Sequence, residues 1–186
     1  MIDPVNYEVE LKVKGDTPSE DKLLSLLLIE DKYYPPTERC QGVHCHTYSS
    51  KLSTVEVTVG HLSRTVEATI VFQVVEGSWP IQYHGRFVAH MASLDDLEME
   101  LVDSRGGTVT TSSDGAIELS RCVVPVEVDG ELKLWVDAWH DDDRGIVVGK
   151  DQVTFAPGRA GRSVDTCDVG FCKMRVTVAW SLLVNW

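Results

Sequence analysis

The sequence has no run of lysine or arginine, and its 17 basic side chains stand against 29 acidic ones, a formal net charge of −12. A surface of that sign repels phosphate backbones and anionic membranes, so a general nucleic-acid or membrane binder is not expected. Long apolar runs are also missing. The longest, "LLSLLLI" at residues 23–29, is far too short to span a bilayer. The opening "MIDPVNYEVELKVKG" lacks the basic start and apolar stretch of a secretory signal. There is no Asn-x-Ser/Thr acceptor, and the five cysteines are an odd number. Together these features lead us to expect a cytoplasmic or nuclear protein with thiols rather than bridges.

Catalytic signatures are equally scarce. No Gly-x-Ser-x-Gly elbow, His-Glu-x-x-His pair, phosphate loop or Gly-x-Gly-x-x-Gly fingerprint occurs. The expectation is therefore a protein that is not an enzyme and needs no cofactor. Segments of helical period longer than two turns, tandem repeats and low-complexity linkers are absent as well.

What is present is alternation. In "TVEATIVFQVV", Val66, Ala68, Ile70, Phe72 and Val74 fall on one side, with Glu67, Thr69 and Gln73 opposite. A period of two with many β-branched residues describes a strand with one buried face. "YEVELKVKG" alternates likewise through Tyr7, Val9, Leu11 and Val13, and "CKMRVTVAWSLL" through Met174, Val176, Val178, Trp180 and Leu182. "LLSLLLIE" reads as a strand buried on both faces. Turn clusters such as "SRGG", "SSDGA" and "APGRAGRS" punctuate the runs. The pattern predicts an all-β fold, an antiparallel two-sheet β-sandwich of about nine or ten short strands. At 186 residues, a single domain over 1–186 is expected.

"CVVPVEVDGELKLWVDAW" places Asp129-Gly130 between two alternating runs, a hairpin signal. A three-residue loop with Gly130 in the left-handed region would pair Val126 with Leu132 and Val124 with Leu134. That register keeps one face apolar.

Several phrases together carry a resemblance: "DPVNYEVELKVKG", "SEDK", "SSKLSTVEVTVG", "VEATI", "GSWP", "DGAIELSR", "VEVDGELK", "AGRS" and above all "DVGFCKMRVTVAWSLL". They resemble a plant family, richest in grasses, whose shared segment is a domain of unknown function. That domain is similar to the C-terminal part of jasmonate-induced proteins whose N-terminal part is a ribosome-inactivating rRNA N-glycosidase. The resemblance covers nearly the whole chain and implies a stress or defence setting. Members usually carry a further stretch before the "DPV" phrase, so N-terminal strands usual in the family are expected to be missing here. No catalytic residue transfers, because the similarity lies in the non-catalytic part of those proteins.

Three groups of residues are candidates for chemistry or binding. "CQGVHCH" holds Cys40, His44, Cys45 and His46. A metal-binding centre on Cys40–His46, a zinc site joining Cys40 and Cys45 to Cys167 and Cys172, and a Cys40–Cys45 disulfide are the chemical readings. A solvent-exposed loop is the expected one, since Cys172 has core parity and no metal ligands are assigned. "DAWHDDDRG" offers Asp141, Asp142 and Asp143, which a calcium site would need to supplement with a second acidic loop such as "SLDDLE".

The third group is the pair Trp135 and Trp139. If Leu132, Leu134, Val136 and Ala138 face the core, both indoles lie on the other face, about 13 Å apart along the strand. Aromatics so placed anchor a protein partner or stack on a sugar ring. The expected function is a non-enzymatic interaction module binding a protein, with carbohydrate binding by the same tryptophans as the alternative.

Overall fold

The computed structural model describes residues 5–31, 42–62, 64–91, 97–105, 107–140 and 146–182. Among the described residues there are twelve strands, one short 3-10 turn at Pro18–Glu20 and no α-helix. They fall into two compact units, residues 1–61 and 62–186.

The first unit holds two antiparallel pairs. Strands β1 (Val5–Val13) and β2 (Lys22–Asp31) form one, and β3 (Gly42–Ser49) and β4 (Thr54–His61) the other. The register of β1 on β2 sets Tyr7 opposite Ile29 and Val9 opposite Leu27. Ile29 and Ser25 are buried, but Leu26 and Leu28 are 66% and 71% exposed. The expectation that β2 is buried on both faces is thus corrected. Leu26 and Leu28 have the parity opposite to that of Ser25 and Ile29, so only one face of β2 is buried.

The second unit is the predicted sandwich. One sheet has the order β10–β9–β6–β7, from Val147–Phe155, Leu132–His140, Tyr83–Met91 and Glu98–Asp103. The other has the order β11–β12–β5–β8, from Ala160–Asp168, Cys172–Leu182, Thr65–Gly77 and Val123–Glu127. All their pairings are antiparallel. Alternation fills the interior as read: Val66, Ala68, Ile70 and Phe72 from β5, and Met174, Val176 and Val178 from β12, are at most 1% exposed. Phe87 of β6 meets Phe72 of β5 edge-to-face at 5.0 Å, tying the sheets together.

Hydrogen bonds outside the named strand pairs tie down both sides of the sandwich. Beyond β8, residues 115–117 continue along β5: Ile117 N–H donates to the Phe72 carbonyl at 2.8 Å and Val74 N–H to the Gly115 carbonyl at 2.9 Å. On the opposite side Asp168 N–H donates to Asp151 Oδ2 at 2.6 Å, linking β11 to β10.

The expected β8–β9 hairpin does not form. β8 pairs with β5 while β9 pairs with β6 and β10, so the Asp129-Gly130 turn carries the chain from one sheet to the other. Gly130 is not among the glycines in the left-handed region; its N–H closes a tight turn on the Glu127 carbonyl at 3.0 Å. Val124, Val126, Leu132 and Leu134 are nevertheless all fully buried. Strands in facing sheets bury the same parity as strands in one hairpin, so alternation alone cannot tell the two apart.

Candidate functional site

Strand β9 is central in its sheet and divides its side chains cleanly. Leu132, Leu134, Val136 and Ala138 are fully buried, while Lys133, Trp135, Asp137 and Trp139 stand half-buried on the outer face. β6 runs beside it with Phe87, Ala89 and Met91 inward and His84, Arg86, Val88 and His90 outward. The register sets His84 opposite Trp139, Arg86 opposite Asp137 and Val88 opposite Trp135.

The result is an aromatic and charged face. The His84 ring stacks on Trp139 at 6.1 Å and 28°, and His90 lies 5.7 Å from Trp135 at 36°. Lys150 of β10 reaches over the Trp135 ring at 6.0 Å and pairs with Asp137 at 3.2 Å. Such ring and cation contacts contribute about 0.5–1.5 kcal/mol each, enough to hold an indole in one orientation. Val88 is fully buried although its parity is that of the outer face.

Ser104 fixes the start of β6. Its buried hydroxyl accepts from Gly85 N–H at 2.7 Å, and its own N–H donates to the Gly85 carbonyl at 3.0 Å. The Ser104 carbonyl lies 2.8 Å from His84 Nδ1. A carbonyl only accepts, so Nδ1 carries the proton in this contact. Gly85 is required here, since a Cβ would lie 2.5 Å from Trp79 Cζ2. Trp79 in turn packs on Phe87 and Phe171 at 5.5 and 5.1 Å, a turn-packing role in keeping with "GSWP".

The flank of the face is acidic but paired. Arg86 Nη2 meets Glu98 Oε2 at 2.6 Å, and its Nε lies 3.6 Å from Glu100. Burial works against the guanidinium, but the two glutamates outweigh it and raise its pKa. Asp103 behaves in mirror image. Burial disfavours its charge, yet hydrogen bonds from Arg105 hold its pKa below the usual carboxylate value.

The other sequence candidates are placed as follows. Cys40, Asp141 to Asp143, most of "SLDDLE" and Trp186 lie outside the described residues. Cys45 is an exposed thiol on β3. Cys167 and Cys172 are core residues; burial above all pushes their thiols up to about 12 and about 11. At neutral pH both are protonated and behave as small buried hydrophobes rather than as nucleophiles. Among the described residues no three His, Cys, Asp or Glu side chains gather as a metal centre, and no helix is long and apolar enough to cross a membrane. Trp180 is buried, with Nε1–H donating to Ser163 Oγ at 2.9 Å.

The profile of a domain of unknown function, DUF6598, matches residues 1–178. The chain belongs to the DUF6598 family. The DUF6598 match runs across both compact units, from β1 into β12. No curated protein matches the chain.

Proposed function

We propose that this DUF6598 domain is a non-enzymatic binding module that docks a protein partner on the outer face of the β10–β9–β6–β7 sheet. The observation that carries the reading is Trp135 and Trp139 on one solvent-side strand face, each braced by a histidine from the neighbouring strand. Protein interfaces concentrate tryptophan and arginine at their centres, where a braced ring loses little conformational freedom on binding. The same face carries Arg86, whose guanidinium is oriented by two glutamates. The resemblance to the C-terminal part of jasmonate-induced proteins supports a stress or defence setting in a plant cell.

Carbohydrate binding is the second reading. It is favoured by the polar Asp137 and Gln152 side chains around the two indoles, an arrangement that suits a sugar's hydroxyls and ring faces.

One experiment separates them. Full-length protein and a Trp135→Ala/Trp139→Ala variant are compared by cross-linking in stressed plant tissue and by tryptophan quenching with a panel of glycans. A protein cross-linked by the wild type and reduced at least about tenfold in the variant is the expected result, in line with loss of two anchor residues. Equal cross-linking by both proteins would overturn the reading, and saturable quenching by a glycan would replace it with the second.

A further inference from the structure

Each compact unit carries a solvent-exposed face with an apolar centre. In the first unit the face belongs to the β1–β2 ribbon. Leu26 and Leu28 are exposed there, and cross-strand partners share a face, so Glu10 stands beside Leu26 and Glu8 beside Leu28. The register shifts between Leu11 and Lys12, which brings Leu23, also exposed, opposite Lys12 and onto the same face. Glu10 engages Lys12 at 3.0 Å, and Glu8 leaves the border of the leucines net negative.

In the second unit the face is the outer side of the β11–β12–β5–β8 sheet. Val164 pairs with Thr177 and Thr177 with Val71; one row along, Ala179 pairs with Thr69 and Thr69 with Val123. Val71, Val123 and Val164 are exposed, the last by 60%. All six side chains are short, so the patch is shallow and crosses all four strands. Its charged neighbours along β11 and β12 are Arg162, two residues before Val164, and Arg175, two before Thr177. Both are exposed, and among the described residues neither has a carboxylate partner. The carboxylates of this face stand toward its ends: Glu67 lies beyond Thr69, while Glu76 and Asp168 are 3.1 and 4.0 Å from Lys173 Nζ.

We infer that these two faces dock on each other between copies of the chain, the leucine face of one molecule on the valine–threonine face of the next. Leucine side chains project further than valine, threonine or alanine, and sheets pack face to face when large residues meet small ones. Charge sets which faces meet. Two leucine faces would bring Glu8 and Glu10 against their own copies, and two valine faces would do the same for Arg162 and Arg175. Unlike faces instead bring carboxylates to the unpaired guanidiniums. The contact is therefore heterologous and propagates into a ring or an open chain. The net charge of −12 opposes approach at a distance, but a Debye length of about 8 Å at physiological ionic strength leaves the local pairs in control at contact. Neither face includes Trp135 or Trp139, so the inference stands or falls separately from the proposed docking of a protein partner.

Sedimentation equilibrium of the full-length protein over a range of concentrations is expected to show a mass that rises past that of a dimer. Leu26→Thr/Leu28→Thr and Arg162→Glu/Arg175→Glu each disable one face. All four positions are exposed, and circular dichroism checks that each variant keeps its strands. Either variant alone is expected to remain monomeric. An equimolar mixture of the two is expected to form a one-to-one dimer and nothing larger, since each supplies the face that the other lacks. Wild-type protein that stays monomeric, a single-face variant that still associates, or a mixture that stays monomeric would each overturn the inference.

Discussion

Phe87→Ala is expected to destabilise the sandwich by about 3–5 kcal/mol, the range for emptying a fully buried aromatic site. Phe87 is fully buried and sits between the sheets, edge-on to Phe72 at 5.0 Å and tilted against Trp79 at 5.5 Å. Removing its ring takes away contacts from both sheets at once. Phe72 on the facing sheet belongs to a paired strand and cannot collapse into the cavity freely. Urea unfolding followed by tryptophan fluorescence should show a lower midpoint with little change in slope, since the surface exposed on unfolding is nearly the same. A loss under about 1 kcal/mol would mean that Phe87 is not the bridge between the layers.

Gly77→Ala should be similarly damaging, by about 2–4 kcal/mol, for two separable reasons. Gly77 ends β5 at φ 76°, in the left-handed region, and a Cβ there would lie 2.5 Å from the Phe171 carbonyl oxygen. The carbonyl is backbone, next to the Cys172 that pairs with Gly77, so it cannot swing aside as a side-chain tip would. Gly161→Ala separates the contributions. Gly161 has φ 95° but nothing within 4 Å of its added Cβ, so it reports the dihedral cost alone. That cost is about 1–2 kcal/mol. The excess at Gly77 measures the collision, and equal losses at the two positions would show that no collision exists.

The sequence disclosed the parity of the sandwich more fully than its connectivity. Val66 to Phe72, Leu132 to Ala138 and Met174 to Trp180 all bury the side read from their alternation, because a period of two leaves a strand no other way to make a dry interior. Which strands pair was less visible. At Asp129-Gly130 a hairpin and a crossover bury the same valines and leucines, and the difference rests on whether β8 finds β5 or β9 as its neighbour. That choice is made by long-range packing, which local alternation does not encode. β2 misled for another reason: a run of leucines carries no parity, so its exposed face could not be told from its buried one.

For the candidate site, the tryptophans were legible and their supports were not. Trp135 and Trp139 follow from β9 alone. His84 and His90 required the register of β6 on β9, although "YHGRFVAHM" does alternate histidine, arginine and valine against phenylalanine, alanine and methionine. Reading that segment as a strand would have found the outward histidines, but not which indole each one braces.

The division of β9 into a stabilising inner face and a recognising outer face is tested most directly by equilibrium urea unfolding of two adjacent variants. Leu134→Ala should lose about 2–5 kcal/mol, as for a fully buried leucine, and Trp135→Ala less than about half of that loss, since its ring is only half-buried on the outer face. The opposite ordering, with Trp135→Ala the more damaging, would contradict the assignment of the two faces.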